Sequence, residues 1–175
     1  MIFVTVGNMD PFDRLLQAVD DWIASQSIQE TVFAQIGKSQ YQPKHFQAVR
    51  FLTPQEYRQS FEEARFVIAH AGMGSIITAI ELSKYIVVMP KRASLGEQRN
   101  EHQLATARHF QRYHRIRVAE NEHDLPLVVG QLLSSQFDSP ANHTDCDAET
   151  WPPDKSLIQF VNEFFTSTST SSSKK

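Results

Sequence analysis

The chain has 175 residues, enough for one core of ordinary size and too few for two, since domains typically take about 100–200 residues. Its 17 Lys and Arg stand against 20 Asp and Glu, a formal net charge of −3, which argues against a dominant nucleic-acid surface, where the field should be strongly positive. No run approaches the roughly 18 apolar residues of a spanning helix, Met1-Ile2-Phe3-Val4-Thr5-Val6 reads as a strand and not as an export signal, and the single cysteine, Cys146, suits a reducing compartment, so a cytoplasmic chain is expected.

Two periodicities alternate along the chain. Short β-branched and apolar runs at residues 2–6, 31–36, 48–52, 66–69, 86–89 and 115–118 predict six strands. After the first, Phe12, Leu15, Leu16, Val19, Trp22 and Ile23 share one helical stripe. Asp10-Pro11-Phe12-Asp13 would start that helix with an N-cap acceptor, proline at N1 and a carboxylate at N3. Thr53-Pro54-Gln55-Glu56 has the Thr/Glu spacing of a capping box. Further helices fit 75–83, 100–111 and 124–133. Strands alternating with helices of this length predict a Rossmann-like α/β domain over 1–133, a parallel sheet covered on both faces. Residues 134–165 read as a polar connection followed by an amphipathic helix carrying Leu157, Ile158, Phe160, Val161, Phe164 and Phe165. Residues 166–175, almost all serine, threonine and lysine, read as a disordered tail.

In such a sheet, ligands bind outside the carboxyl ends of the strands, where the N–H groups of helix N-termini converge. Three loops meet that description. Gly7-Asn8-Met9-Asp10 follows the first strand; it reads either as a ligand-facing turn or as a plain capped βα turn, and it is no G-x-G-x-x-G signature. His70-Ala71-Gly72-Met73-Gly74-Ser75 lies between a buried strand and a helix. Its glycines allow close backbone approach, Ser75 is placed to cap the helix, and the helix end suits a diphosphate. His70 is either a donor to an oxyanion or sugar hydroxyl, or a satisfied polar residue at a strand end. The third loop runs from Pro90 to Gln103 and holds Lys91, Arg92, Glu97, Asn100, His102 and Gln103, amides and imidazole of the kind that sugar hydroxyls need. There is no His/carboxylate cluster at metal-ligand spacing, with His143, Asp145 and Cys146 reading as surface loop, no readable Ser/His/Asp arrangement and no convincing general base, so no metal or other cofactor is expected and the catalytic residue is left unassigned.

Gly7 with Asp10-Pro11-Phe12-Asp13, then His70-Ala71-Gly72-Met73-Gly74-Ser75-Ile76, then Pro90 and Glu97 through Asn100 to His102-Gln103-Leu104-Ala105 resemble the C-terminal domain of family 28 glycosyltransferases, and within it the free-standing subunits of the Alg13, PssE and EpsF type. The resemblance implies one half of a GT-B fold that binds a UDP-sugar. By motif match, Gly72, Gly74 and Ser75 would face the diphosphate, Gly7 and Asn8 would lie near it or at the inter-domain cleft, His70 matches the family's histidine before the glycines, and Met73 and Thr78 would belong to the same donor site. His102 and Gln103 would meet the donor sugar, with Glu97 and Asn100 in the same loop. Two departures stand out. Thr78 occupies a position where the family often has an acidic residue for the ribose hydroxyls, with Glu81 one turn later. The usual Gly-Lys-Pro after that helix is Ser83-Lys84-Tyr85.

The resemblance further implies a hexosyltransferase that needs a second half: a membrane-associated Alg14/PssD-like subunit that brings the lipid-linked or polysaccharide acceptor and holds this chain peripherally at the membrane. The alternative is a non-catalytic nucleotide-sugar-binding or scaffolding module that activates another transferase.

Overall fold

In the computed structural model, residues 1–26 and 28–134 are described. The amphipathic helix and tail expected beyond Ser134 lie outside them. The elements run β1 (Ile2–Thr5), α1 (Asp13–Gln26), β2 (Val32–Gln35), β3 (Gln47–Val49), α2 (Pro54–Glu63), β4 (Phe66–His70), α3 (Met73–Glu81), β5 (Ile86–Met89), a 3-10 turn at Ala93–Leu95, α4 (His102–Phe110), β6 (Ile116–Val118) and α5 (Leu125–Ser134). All six expected strands are present in one parallel sheet of order β3-β2-β1-β4-β5-β6. Val4 sits opposite Ala34 on one side and Ile68 on the other. The order reverses direction between β1 and β4, and there the loops after the two strands diverge to leave a crevice.

Period-two alternation divides the central strands between two cores. Ile2, Val4, Phe66, Ile68, Val87 and Met89 join Leu15, Leu16, Val19 and Trp22 of α1 and Leu125, Val129 and Leu132 of α5. Phe3, Val67, Ala69, Ile86 and Val88 face the other way, against Phe61, Ile76, Ile80 and Phe110 of α2, α3 and α4. With both faces covered, these strands read as continuous apolar runs. Each fully buried side chain of this size contributes about 1.5–3 kcal/mol.

Three helix starts differ from expectation by two residues or more, that of α4 falling at His102 and not at residue 100. The first hydrogen bond of α1 runs from Leu16 N–H to the Phe12 carbonyl, so Asp10 does not cap it. Phe12 N–H instead donates to Ser39 Oγ at 2.9 Å, and the Asp13 carboxylate accepts from Gln40 and Tyr41 N–H. The early start is forgone because these groups bind the crossover from β2 to β3. That crossover has no helix, and buried Asp20 moors it: its carboxylate accepts from Tyr41 Oη and from Lys44 and His45 N–H, and lies 3.1 Å from His45 Nδ1. Burial alone would raise the Asp20 carboxyl, but these hydrogen bonds outweigh it and hold it below its ordinary value.

The second difference is α3, which begins at Met73 with Gly72 as N-cap, two residues before the predicted start. At the other end of α3, Lys84 N–H reaches the Ala79 carbonyl and Ser83 N–H the Ile80 carbonyl, a Schellman ending with Ser83 at φ 51°. Ser83 thus adopts the left-handed backbone that the family's glycine would take without strain. The Thr53–Glu56 capping box of α2 forms as expected.

Candidate functional site

A cavity of about 470 Å³ opens at the crevice between β1 and β4, within the usual size for a small-molecule site. Gly7 and Asn8 line it from the loop after β1, Gln35 from β2, Leu52 from the loop after β3, Pro54, Tyr57 and Arg58 from α2, His70 from β4, and Gly74, Ser75 and Thr78 from α3. Six of the predicted residues therefore share one cavity: Gly7, Asn8, His70, Gly74, Ser75 and Thr78.

The first turn of α3 leaves the N–H groups of Met73, Gly74 and Ser75 without intrahelical acceptors, and no side chain caps them. Ser75 is not the cap. It sits inside the first turn, buried, with its Oγ 3.1 Å from Tyr57 Oη. The hydroxyl is claimed by that neighbour, which leaves the helix end open toward the cavity. A β-carbon on Gly74 would meet nothing within 4 Å, so this position gives onto free space.

His70 is tightly framed. A β-carbon on Gly72 would lie 2.2 Å from its Nε2, and one on Gly7, where φ is +78°, would lie 2.8 Å from its Cε1. Its Nδ1 is buried without a hydrogen-bond partner. Burial, reinforced by the nearby Lys91 ammonium, pushes its pKa down to about 4, so the ring is neutral at pH 7. The neutral imidazole, on which the Thr5 backbone also acts, forms part of the cavity wall.

Beneath the cavity runs a polar chain that the sequence reading missed. Thr5 Oγ1 accepts from Gly7 N–H and donates to Gln35 Oε1 at 3.1 Å, while Gln35 Nε2 donates to Asn8 Oδ1 at 2.6 Å. This fixes the Asn8 amide at the mouth. Gln35 closes an otherwise apolar strand, the one signal that could have marked it. Tyr57 carries no such signal in the sequence.

The third loop is less committed to ligand than expected. Glu97 is held by a bidentate pair with Arg14 of α1, 2.8 Å on each arm, and by Arg92 N–H. Arg14 also reaches Glu122 and the Pro90 carbonyl. Gln103 is buried, its Oε1 accepting from Lys91 N–H. Both therefore fix the loop's shape. Asn100 and His102 are exposed and bonded to each other outside the cavity wall, where an incoming group can reach them. Thr78 donates its hydroxyl to the Gly74 carbonyl, and Glu81 pairs with Arg58 without lining the cavity. Among the described residues, no three His, Cys, Asp or Glu side chains converge as metal ligands, and no helix is long and apolar enough to cross a membrane.

A parallel sheet of this order, with an uncapped helix terminus over its switch point, defines a Rossmann-like domain of the kind found in GT-B glycosyltransferases. The chain belongs to the glycosyltransferase family 28 C-terminal domain family, which it matches over residues 1–149. It is 26% identical over 180 residues to the UDP-N-acetylglucosamine transferase subunit ALG13 of Yarrowia lipolytica, covering 93% of this chain and 83% of that protein. In fold it is similar to the glycotransferase of kitacinnamycin (TM-score 0.58, 18% identity, 77% of this chain) and to MurG of Acinetobacter baumannii (TM-score 0.57, 15% identity, 75% of this chain). It spans 35% and 40% of those two chains.

Proposed function

We propose that this chain is the donor-binding subunit of a hexosyltransferase: it binds a UDP-sugar and works with a membrane-associated Alg14/PssD-like partner that presents a lipid-linked or polysaccharide acceptor. The observation that carries this reading is the open N-terminus of α3 facing the cavity beside the neutral imidazole of His70. Free N–H groups at a helix N-terminus favour a diphosphate. Leu52 and Tyr57 offer an apolar wall for a flat base, and exposed His102 and Asn100 stand ready for the sugar.

Transfer then requires attack by an acceptor hydroxyl on the anomeric carbon. The bond to the β-phosphate oxygen breaks, and UDP leaves with the electron pair. The α3 terminus stabilises the departing diphosphate. The hydroxyl proton passes to a base, which we assign to the partner. Similarity to a transferase subunit supports the two-chain arrangement.

Calorimetric titration of the purified chain with UDP tests the donor site. Gly74→Val should fold normally, since the position is open, and should lose UDP affinity. Wild-type protein that binds no UDP species, with or without the partner, removes the reading. The scaffolding alternative gains weight from Thr78, whose hydroxyl is turned to its own helix. Retention of partner-dependent activity in His102→Ala would favour it.

A further inference from the structure

We infer that Lys91 is a positioning residue of the anion site, tying the loop after β1 to the loop after β5 and holding a positive charge that an entering diphosphate completes. The inference rests on the donor-binding reading above. Lys91 looks like an ordinary loop lysine in the sequence, yet it is 3% exposed. Its Nζ donates to the Val6 carbonyl at 3.1 Å and the Asp10 carbonyl at 2.6 Å, and lies 5.5 Å from the Phe12 ring centroid. Its own N–H donates to Gln103 of α4, and its carbonyl accepts from Gln98. One residue therefore ties the loop after β1 to the loop after β5 and the start of α4. Gly7 and Asn8, which line the cavity, are bracketed between the two carbonyls that it holds.

Lysine is seldom buried unless it is paired with a counter-charge. Here the ammonium is held by carbonyl dipoles, which orient it without cancelling its charge. The charged and titratable groups around it are accounted for element by element. Glu97, in its own loop, is engaged by Arg14 and Arg92 N–H. Asp10, after β1, is exposed. His70, from β4, is kept neutral partly by Lys91 itself. Arg14, from α1, is another cation, 5.3 Å from the same Phe12 ring. Arg14 is in turn matched by Glu97 and Glu122, which leaves the Lys91 ammonium with carbonyl partners only, and a diphosphate beside Gly7 and Asn8 is the group that would complete it. Burial lowers the Lys91 pKa to about 8, against the pull of Asp10 and Glu97.

A lysine that merely props a loop would leave ligand binding indifferent to its charge. The test is titration of the full chain with UDP at pH 8, in two buffers of different protonation enthalpy. Wild-type protein should take up a fraction of a proton on binding, as the anion draws Lys91 back to its charged form. Lys91→Met keeps the stem and removes the charge; it should bind UDP roughly tenfold more weakly and take up no proton. Circular dichroism checks its fold, and if it fails to fold, the wild-type proton uptake decides alone. Binding without uptake, or a folded Lys91→Met that binds as wild type does, overturns the inference. Wild-type protein that binds no UDP, with or without the partner, is a different failure, because it removes the donor site itself and this inference with it.

Discussion

His70 and Gly72 share a space that admits only one of them with a side chain: a β-carbon at residue 72 would stand 2.2 Å from the His70 Nε2. The imidazole is held laterally by this glycine and by Gly7, so it has little room to turn away. Gly72→Ala should therefore destabilise the fold by about 1–3 kcal/mol. Combining it with His70→Ala should recover part of that loss, because the clash disappears with the ring. Urea unfolding of the double-mutant cycle measures the coupling; additive costs would show that the ring simply swings aside.

The same imidazole makes stability depend on acid. Its folded pKa, about 4, lies below the ordinary value of 6.5, so the unfolded chain binds the extra proton first. The contribution of His70 is complete above pH 6.5 and is lost as the pH falls toward 4, by on the order of 3 kcal/mol at most. Asp20 also weakens the fold in acid, so the measurement is a difference: melting temperature against pH for wild type minus His70→Gln. A flat difference between pH 6.5 and 4 contradicts the expected burial.

Lys91 acts in the opposite pH range. Its folded pKa, about 8, is below the usual 10.5, so between these values the unfolded chain again holds more protons. Stability from this group should rise as the pH increases from 8 to 10.5, and the slope should vanish in Lys91→Met. Denaturant midpoints at three pH values across that window suffice to detect it.

Ser83 takes a left-handed backbone at the end of α3, where glycine carries no β-carbon penalty. Ser83→Gly should stabilise by about 0.5–1 kcal/mol, the relief of strain exceeding glycine's extra chain entropy. Thermal unfolding would register this as a rise of roughly 1–4 °C.

Arg14 holds Glu97, Glu122 and the Pro90 carbonyl together beneath the loop that carries His102. Arg14→Met should cost about 3 kcal/mol by leaving Glu97 without its partner. Glu97→Gln should cost less, since the amide oxygen can still accept from Arg92 N–H. If the two variants unfold at the same denaturant concentration, the pair does not anchor the loop.

The sheet was legible because buried parallel strands leave apolar runs of four to six residues, and β1, β4 and β5 each do so. Gly72, Gly74 and His70 were legible for the same reason: a strand end, a turn and a helix start follow one another within a few residues. What escaped notice depends on distant contacts. Lys91 meets the Asp10 carbonyl across 81 positions and Arg14 meets Glu97 across 83, and no local pattern announces either. Ser75 has the residue type of a cap, yet its hydroxyl meets Tyr57, 18 residues earlier. Glu97 and Gln103 have the chemistry of sugar contacts, yet their acceptors are taken by backbone and guanidinium donors that only the fold brings near.

The mooring of the β2–β3 crossover on Asp20 concentrates the upkeep of one sheet margin in a single carboxylate. Replace it with alanine, and breathing at that margin would travel inward to Gln35 and Leu52, so the cavity would lose its outer wall while β1 and β4 stayed zipped. Nicking by protease within residues 36–46 would be the first outward sign.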